Sequence, residues 1–200
     1  VVATHGEHHV FFNAEELQGR DRFFKITHGA EPEQPGFALT VDTDFHLGKV
    51  TQRYIGVPYL REATPFEYLS RLRLFNLTFR DSIEFEGVID SPGKEAIITS
   101  QLFINGNAAT SDEVAAFMTG RGFVSVPGVT AGRGNSISYF RDHDHLAVFD
   151  THGQNFLISG QEMIPIDALI VYADDDLSSF LSMSEKERLA EVGFWTTPTR

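Results

Sequence analysis

Two hundred residues, 42% of them hydrophobic, suffice for one compact domain or two closely packed lobes and exclude a disordered chain. With no cysteine there is no disulfide and no thiolate zinc site, so any metal must use oxygen or imidazole, and a reducing compartment fits. A formal net charge of −12 with no Lys/Arg-rich run argues against a polyanionic partner, so no nucleic-acid partner is expected, whereas a single nucleotide stays open because one lysine and a bound cation can offset its charge.

No apolar run approaches the roughly 20 residues of a membrane helix and no signal-peptide pattern is read, so a cytoplasmic location without a membrane partner is expected. The first residue is Val1 rather than methionine, which suits a chain processed or excised from something longer.

In chain order, His8 to Phe12 and Arg22 to Ile26 flank a polar stretch and read as an aromatic-rich β-hairpin. Strand periodicity puts Lys25 on the face of Phe23, opposite Phe24 and Ile26. There it either snorkels from the sheet or meets a phosphate. Residues 29–63, punctuated by Pro32, Pro35, Gly36, Gly48 and Gly56, read as a loop with a possible extra hairpin. Thr64-Pro65-Phe66-Glu67 combines an N-cap threonine, proline at the first helical position and glutamate at the third. A helix is expected to about Arg80, with Tyr68, Leu69, Leu72, Phe75 and Phe79 as its apolar stripe.

Ile83 to Ile89 and Ala96 to Ile104, around Ser91-Pro92-Gly93, give a second hairpin, and a short helix opens at Ser111. A Gly-rich connection at 128–134 leads to strands Ser136 to Phe140 and Leu146 to Phe149 about the tip Arg141 to His145. After Asp167 come a strand to Tyr172, an acidic run Asp174 to Asp176 read as a solvated turn, and a helix over about Ser184 to Val192. No internal repeat or low-complexity segment is found.

The stretch from Val148 to Asp167 organises the rest. Two strand-like runs flank a polar loop, so Asp150, Asn155 and Asp167 can converge on one point. One carboxylate to position an acceptor hydroxyl, with an amide and a second carboxylate for metal, is what phosphoryl transfer asks of a protein. The bland alternative is a turn, in which Asp, Gly and Asn are ordinary residues. Asp150-Thr151-His152-Gly153 also suits a two-metal phosphoesterase, but no histidine follows His152 to complete such a ligand set. For the His143 and His145 pair, a solvated strand-to-strand tip is expected rather than a metal site.

Several short motifs carry a resemblance: Thr4-His5-Gly6-Glu7-His8, Ala63 to Leu69, Thr99-Ser100-Gln101, Phe149 to Asn155, and Ile164-Pro165-Ile166-Asp167. The chain resembles the kinase-like domain of polyvalent proteins of phages and mobile elements, within the protein-kinase-like superfamily. The resemblance implies an α+β, protein-kinase-like two-lobed fold. An N-lobe over 1–100 would hold an antiparallel sheet and one helix, and a reduced C-lobe over 101–200 would carry the catalytic and metal loops. It implies ATP and magnesium as ligands and a hydroxyl-bearing protein or small molecule as acceptor.

Carried over by residue, Lys25 would contact phosphate and Glu67 would pair with it, although position three after Thr64 already explains Glu67 as a capping-box residue. Asp150 would accept the acceptor's proton, while Asn155 and Asp167 would hold magnesium. Gln101, Leu102 and Phe103 would form the adenine hinge, and His152 would stabilise the loop. Departures from the pattern are a lone Gly6 for the glycine-rich loop, Phe149 before the catalytic aspartate, and Phe23 where a small residue is usual above adenine. No Ala-Pro-Glu element appears, and only 33 residues follow Asp167. The alternative function is therefore a catalytically weak or inactive binding module using the same site.

Overall fold

A computed structural model describes residues 2–5, 8–11, 22–29, 36–131 and 136–196 of the chain. Strands β1 (Val2–His5), β2 (His8–Phe11) and β3 (Arg22–Thr27) pair antiparallel, with Val10 opposite Lys25. The expected aromatic hairpin is present and gains a strand before it, while Gly6 lies outside the described residues.

The segment read as a loop with a possible extra hairpin contains that hairpin, as two nine-residue strands, β4 (Leu39–Leu47) and β5 (Tyr54–Glu62), paired with each other. Pro58 inside β5 weakens the sequence pattern because it cannot donate to a ladder. Its carbonyl instead accepts the Trp195 indole N–H at 2.8 Å.

Helix α1 (Pro65–Phe79) starts as expected with a complete capping box. Thr64 Oγ1 accepts the Glu67 N–H, and Glu67 Oε2 accepts both the Thr64 N–H and its hydroxyl at 2.8 Å. Arg71 joins the buried face with Tyr68, Phe75 and Phe79 because its guanidinium donates to the Leu39 carbonyl. The helix ends at Arg80 in the left-handed conformation. Strands β6 (Glu84–Ile89) and β7 (Ala96–Leu102) form the second expected hairpin, with a bulge between Phe85 and Gly87.

The chain divides into two compact units. The first, Val1–Thr40 with Glu62–Asn105, contains a five-stranded antiparallel sheet of order β1-β2-β3-β7-β6 together with α1. Tyr68 of α1 packs with Ala38, Ala63 and Ile97 in its core. Alternation along β7 puts Thr99 and Gln101 on the same sheet face as Ile97, and the register sets Lys25 opposite Thr99 and Phe23 opposite Gln101. These four side chains therefore share the face that α1 packs against.

The second unit comprises Val41–Arg61 and Gly106–Arg200. Its elements after β5 are β8 (Asn107–Ala108), α2 (Ser111–Thr119), β9 (Val124–Val126), β10 (Val129–Thr130), β11 (Ser138–Arg141) and β12 (Leu146–Phe149). They continue with β13 (Phe156–Ser159), β14 (Glu162–Pro165), β15 (Leu169–Tyr172), α3 (Asp175–Ser182), α4 (Glu185–Glu191) and β16 (Trp195–Thr196). One sheet runs β15-β12-β11-β9, a second β14-β13-β8, and β10 pairs with β16. The core of this unit centres on β12, whose four side chains are all buried, with Phe156, Ile170 and Phe180 fully buried as well.

Asp174 to Asp176 is exposed, as expected, but it opens a helix rather than forming a turn. Asp174 Oδ1 accepts the Leu177 N–H at 2.7 Å and caps α3, whose first turn holds the other two carboxylates. Helix α4 opens on the capping box of Ser184 and Glu187. Its buried Glu191 carboxylate accepts the Val50 and Thr51 N–H groups at 3.1 Å, fixing the turn between β4 and β5.

Candidate functional site

Strand β12 lies between β11 and β15 and delivers Asp150 at its end. Asp150 turns the chain with φ 55°, a left-handed conformation that aspartate tolerates because its short polar side chain can bond locally. Thr151 Oγ1 donates to the Ile137 carbonyl, and a single 3-10 turn over Gly153–Asn155 closes through the Asn155 N–H to His152 O at 2.9 Å. Gly153 is required here, since a Cβ at that position would sit 1.9 Å from the Ala109 carbonyl oxygen.

The turn presses Asn155 against Asp150. Asn155 Nδ2 donates to the Asp150 carbonyl at 2.8 Å and to its Oδ2 at 3.1 Å, while Ser136 Oγ donates to Oδ1 at 2.9 Å. His152 Nε2 is 3.7 Å from Oδ1, an ion pair when the imidazole is protonated. The Asn155 carbonyl accepts the Ile166 N–H at 2.8 Å and the Asp167 N–H at 3.4 Å. Of the three expected residues, Asp150 and Asn155 meet through side chains, and Asp167 is joined to Asn155 through the backbone. Asp167 lies in the bend after β14 rather than on a strand, because that strand ends at Pro165.

With Nδ2 committed to Asp150, the Asn155 amide keeps Oδ1 as its acceptor. An amide oxygen and a carboxylate are hard oxygen donors of the sort that hold magnesium together with phosphate oxygens. Among the described residues no group of three or more His, Asp or Glu side chains is placed to hold a metal unaided. At the 141–145 tip, His143 is exposed and His145 Nδ1 lies 3.0 Å from Ser178 Oγ.

In the first unit Lys25 is buried, its Nζ 5.5 Å from the Phe23 ring centroid, as the shared strand face predicts. Glu67 is engaged in the α1 cap. Gln101 is fully buried and its Nε2 donates to the Asp81 carboxylate, whereas Leu102 and Phe103 are exposed. Burial pushes the Asp81 carboxyl above its ordinary value, opposed by the Ser82 N–H, by Gln101 and by the charges of Lys25 and Arg22. Ser136 and Asp81 were not singled out in the sequence. The 136–149 hairpin, continued past its read ends, was the one signal that could have placed Ser136 beside Asp150.

Antiparallel sheets with four α-helices among the described residues, and an Asp–Asn loop at a buried strand end, form an α+β arrangement compatible with a kinase-like fold. The chain belongs to the family of serine/threonine/tyrosine kinases found in polyvalent proteins, whose model matches residues 41–174. Glu67, Gln101, Asp150, Asn155 and Asp167 fall inside the match, and Lys25 precedes it. No curated protein and no solved structure matches the chain. No helix among the described residues is long and apolar enough to cross a membrane.

Proposed function

We propose that this chain transfers a phosphoryl group from ATP, with magnesium, to a hydroxyl acceptor on a protein or small molecule, within a two-lobed kinase-like fold whose C-lobe is reduced. The observation that carries the reading is the contact of Asp150 with Asn155 at the end of β12, inside the segment matched to the kinase family. In this reading Asp150 orients the acceptor hydroxyl and takes its proton, and the donors on both carboxylate oxygens fix its direction. Asn155 and Asp167 hold the metal, whose chemistry is to neutralise phosphate charge. Lys25 contacts phosphate, Glu67 supports it from the first turn of α1, and the exposed Leu102 and Phe103 after Gln101 offer backbone groups to adenine.

A second reading, nucleotide binding without turnover, is favoured by one observation. Both Asp150 oxygens already accept hydrogen bonds from within the chain, which leaves fewer of their lone pairs to engage an acceptor hydroxyl.

The deciding measurement is ATP affinity with and without magnesium, followed by autophosphorylation and phosphate release. Magnesium-dependent binding lost in Asp167→Ala, with turnover lost in Asp150→Asn, supports transfer. Binding without turnover leaves the module reading, and absence of nucleotide binding defeats both.

A further inference from the structure

Two carboxylates stand at opposite ends of α1, Glu67 in its first turn and Asp81 just past its last. The start of the helix lies over the end of the sheet face where the Ile97 N–H donates to Thr27 Oγ1 at 2.9 Å. There Tyr68 packs with Ile97, and its hydroxyl is 3.0 Å from Nε2 of His8, which pairs with Thr27. The far end of the helix lies toward Gln101. After the left-handed turn at Arg80, the Asn76 amide donates to the Ile83 carbonyl at 2.8 Å and accepts the Ile83 N–H at 3.0 Å, clamping the segment after α1 to its last turn. From this segment Asp81 Oδ2 accepts from Gln101 Nε2, and Oδ1 accepts the Ser82 N–H at 2.7 Å.

Lys25 sits between these two ends, directly across from Thr99 and diagonal to Gln101. Diagonal neighbours on one sheet face are within reach of long side chains. The Lys25 ammonium stands 5.5 Å from the Phe23 ring centroid, so the side chain leans toward the Phe23–Gln101 pair and hence toward Asp81. Lys25 is 8% exposed, and an ammonium so buried calls for anionic charge close by. Its charge acts on the Asp81 carboxyl, opposing the larger effect of burial. Arg22, the other cation acting on Asp81, belongs to the opposite sheet face by strand alternation. Its guanidinium is bound to Ser100 and lies 3.2 Å from Glu84. Lys25 is therefore the cation on the face that Asp81 reaches.

We infer that Asp81 is a positioning residue for phosphoryl transfer, a counter-ion that sets where the Lys25 ammonium stands when phosphate arrives. The inference rests on the phosphotransfer reading, in which Lys25 contacts phosphate, and adds a second anion to Glu67. Gln101 braces the Asp81 carboxylate beside the strand pair, and Asn76 holds its segment from the helix side.

The test is a double-mutant cycle on the full chain with Asp81→Asn, Lys25→Met and both together, read by urea midpoint and by calorimetric ATP affinity in magnesium. Asp81→Asn keeps an acceptor for Gln101 while removing the charge. Lys25→Met should lower the midpoint of the parent more than that of Asp81→Asn, because in the parent it strands a buried carboxylate. Asp81→Asn should weaken ATP binding about threefold in the parent and should not weaken it in Lys25→Met, since the effect passes through the lysine. Adenosine has no phosphate for Lys25 to contact, so it should bind Asp81→Asn and the parent alike. That comparison stands even where Lys25→Met fails to fold. Equal falls in midpoint, equal losses of ATP affinity with and without Lys25, or a loss of adenosine affinity matching that of ATP would each overturn the inference and leave the phosphotransfer reading intact. A parent that binds no ATP defeats the phosphotransfer reading and the inference with it.

Discussion

Asn155 grips Asp150 twice, with one amide nitrogen 2.8 Å from its carbonyl oxygen and 3.1 Å from its Oδ2. Asp150 has left-handed backbone at the end of β12, and its carbonyl accepts from this amide. Asn155→Ala should cost about 1–3 kcal/mol, the usual penalty for stranding buried polar groups, and thermal melting will register it as a drop of several degrees. An unchanged melting temperature would show that water replaces the amide without loss.

Asp150→Asn separates chemistry from folding. Asparagine tolerates the left-handed region as aspartate does, and its side-chain oxygen can still accept from Ser136 or Asn155, so the melting temperature should move little. The proton acceptor is lost, so phosphoryl transfer should fall by about 100-fold or more. Comparable turnover by the variant and the parent would remove Asp150 from the chemistry.

Ser136 tests how tightly that carboxylate must be aimed. Its hydroxyl is buried and donates to Asp150 Oδ1 at 2.9 Å. Ser136→Ala should destabilise the chain by about 1 kcal/mol. It should also lower kcat by roughly tenfold with KM little changed, because orientation of the carboxylate matters more to the transition state than to binding. A fall in stability with kcat intact would assign Ser136 to folding alone.

Local signals were strong where one segment contains its own explanation. Thr64 with Glu67 announced α1, and alternating apolar runs announced the hairpins of β2 with β3 and β11 with β12. They were weak where the cause lies far along the chain. Pro58 sits in a strand that sequence rules disfavour, and Trp195, 137 residues on, supplies the partner for its carbonyl. Asp174 to Asp176 looked like a turn because three acids disfavour a helix interior, yet the same acids suit a helix start. At the site, the spacing of Asp150 and Asn155 was readable. Their link to Ser136 was not, because Ser136 precedes the tip and reaches Asp150 only once β11 has folded back on β12.

Asp81 gives stability a pH dependence of definite sign. Burial raises its carboxyl above the ordinary 3.8, so the folded chain holds the proton more tightly than the unfolded one. That stabilising contribution is fully present below the unfolded value and is lost as pH rises through the raised folded value. Asp81→Asn carries no such proton. The stability of the variant relative to the parent should therefore increase between about pH 4 and neutrality, as urea midpoints at the two pH values will show. A relative stability that declines over this range would mean the hydrogen bonds to Gln101 and Ser82 outweigh burial.

Gly153 carries the sharpest structural prediction. The Ala109 N–H donates to the Gly153 carbonyl at 3.2 Å and to the Phe156 carbonyl at 2.9 Å, which draws the start of the 3-10 turn onto the chain just after β8. At that approach an added Cβ would lie 1.9 Å from the Ala109 oxygen and 3.1 Å from its carbonyl carbon. Both are backbone atoms, so no side-chain rotation can relieve the clash, and either the turn or the segment after β8 must move. Gly153→Ala should thus destabilise the chain by about 2 kcal/mol or more. The same shift would displace Asn155, two residues on, so nucleotide binding in magnesium should weaken even well below the melting temperature. A Gly153→Ala chain with parental stability and affinity would show that the contact between Gly153 and Ala109 is looser in solution than the fold requires.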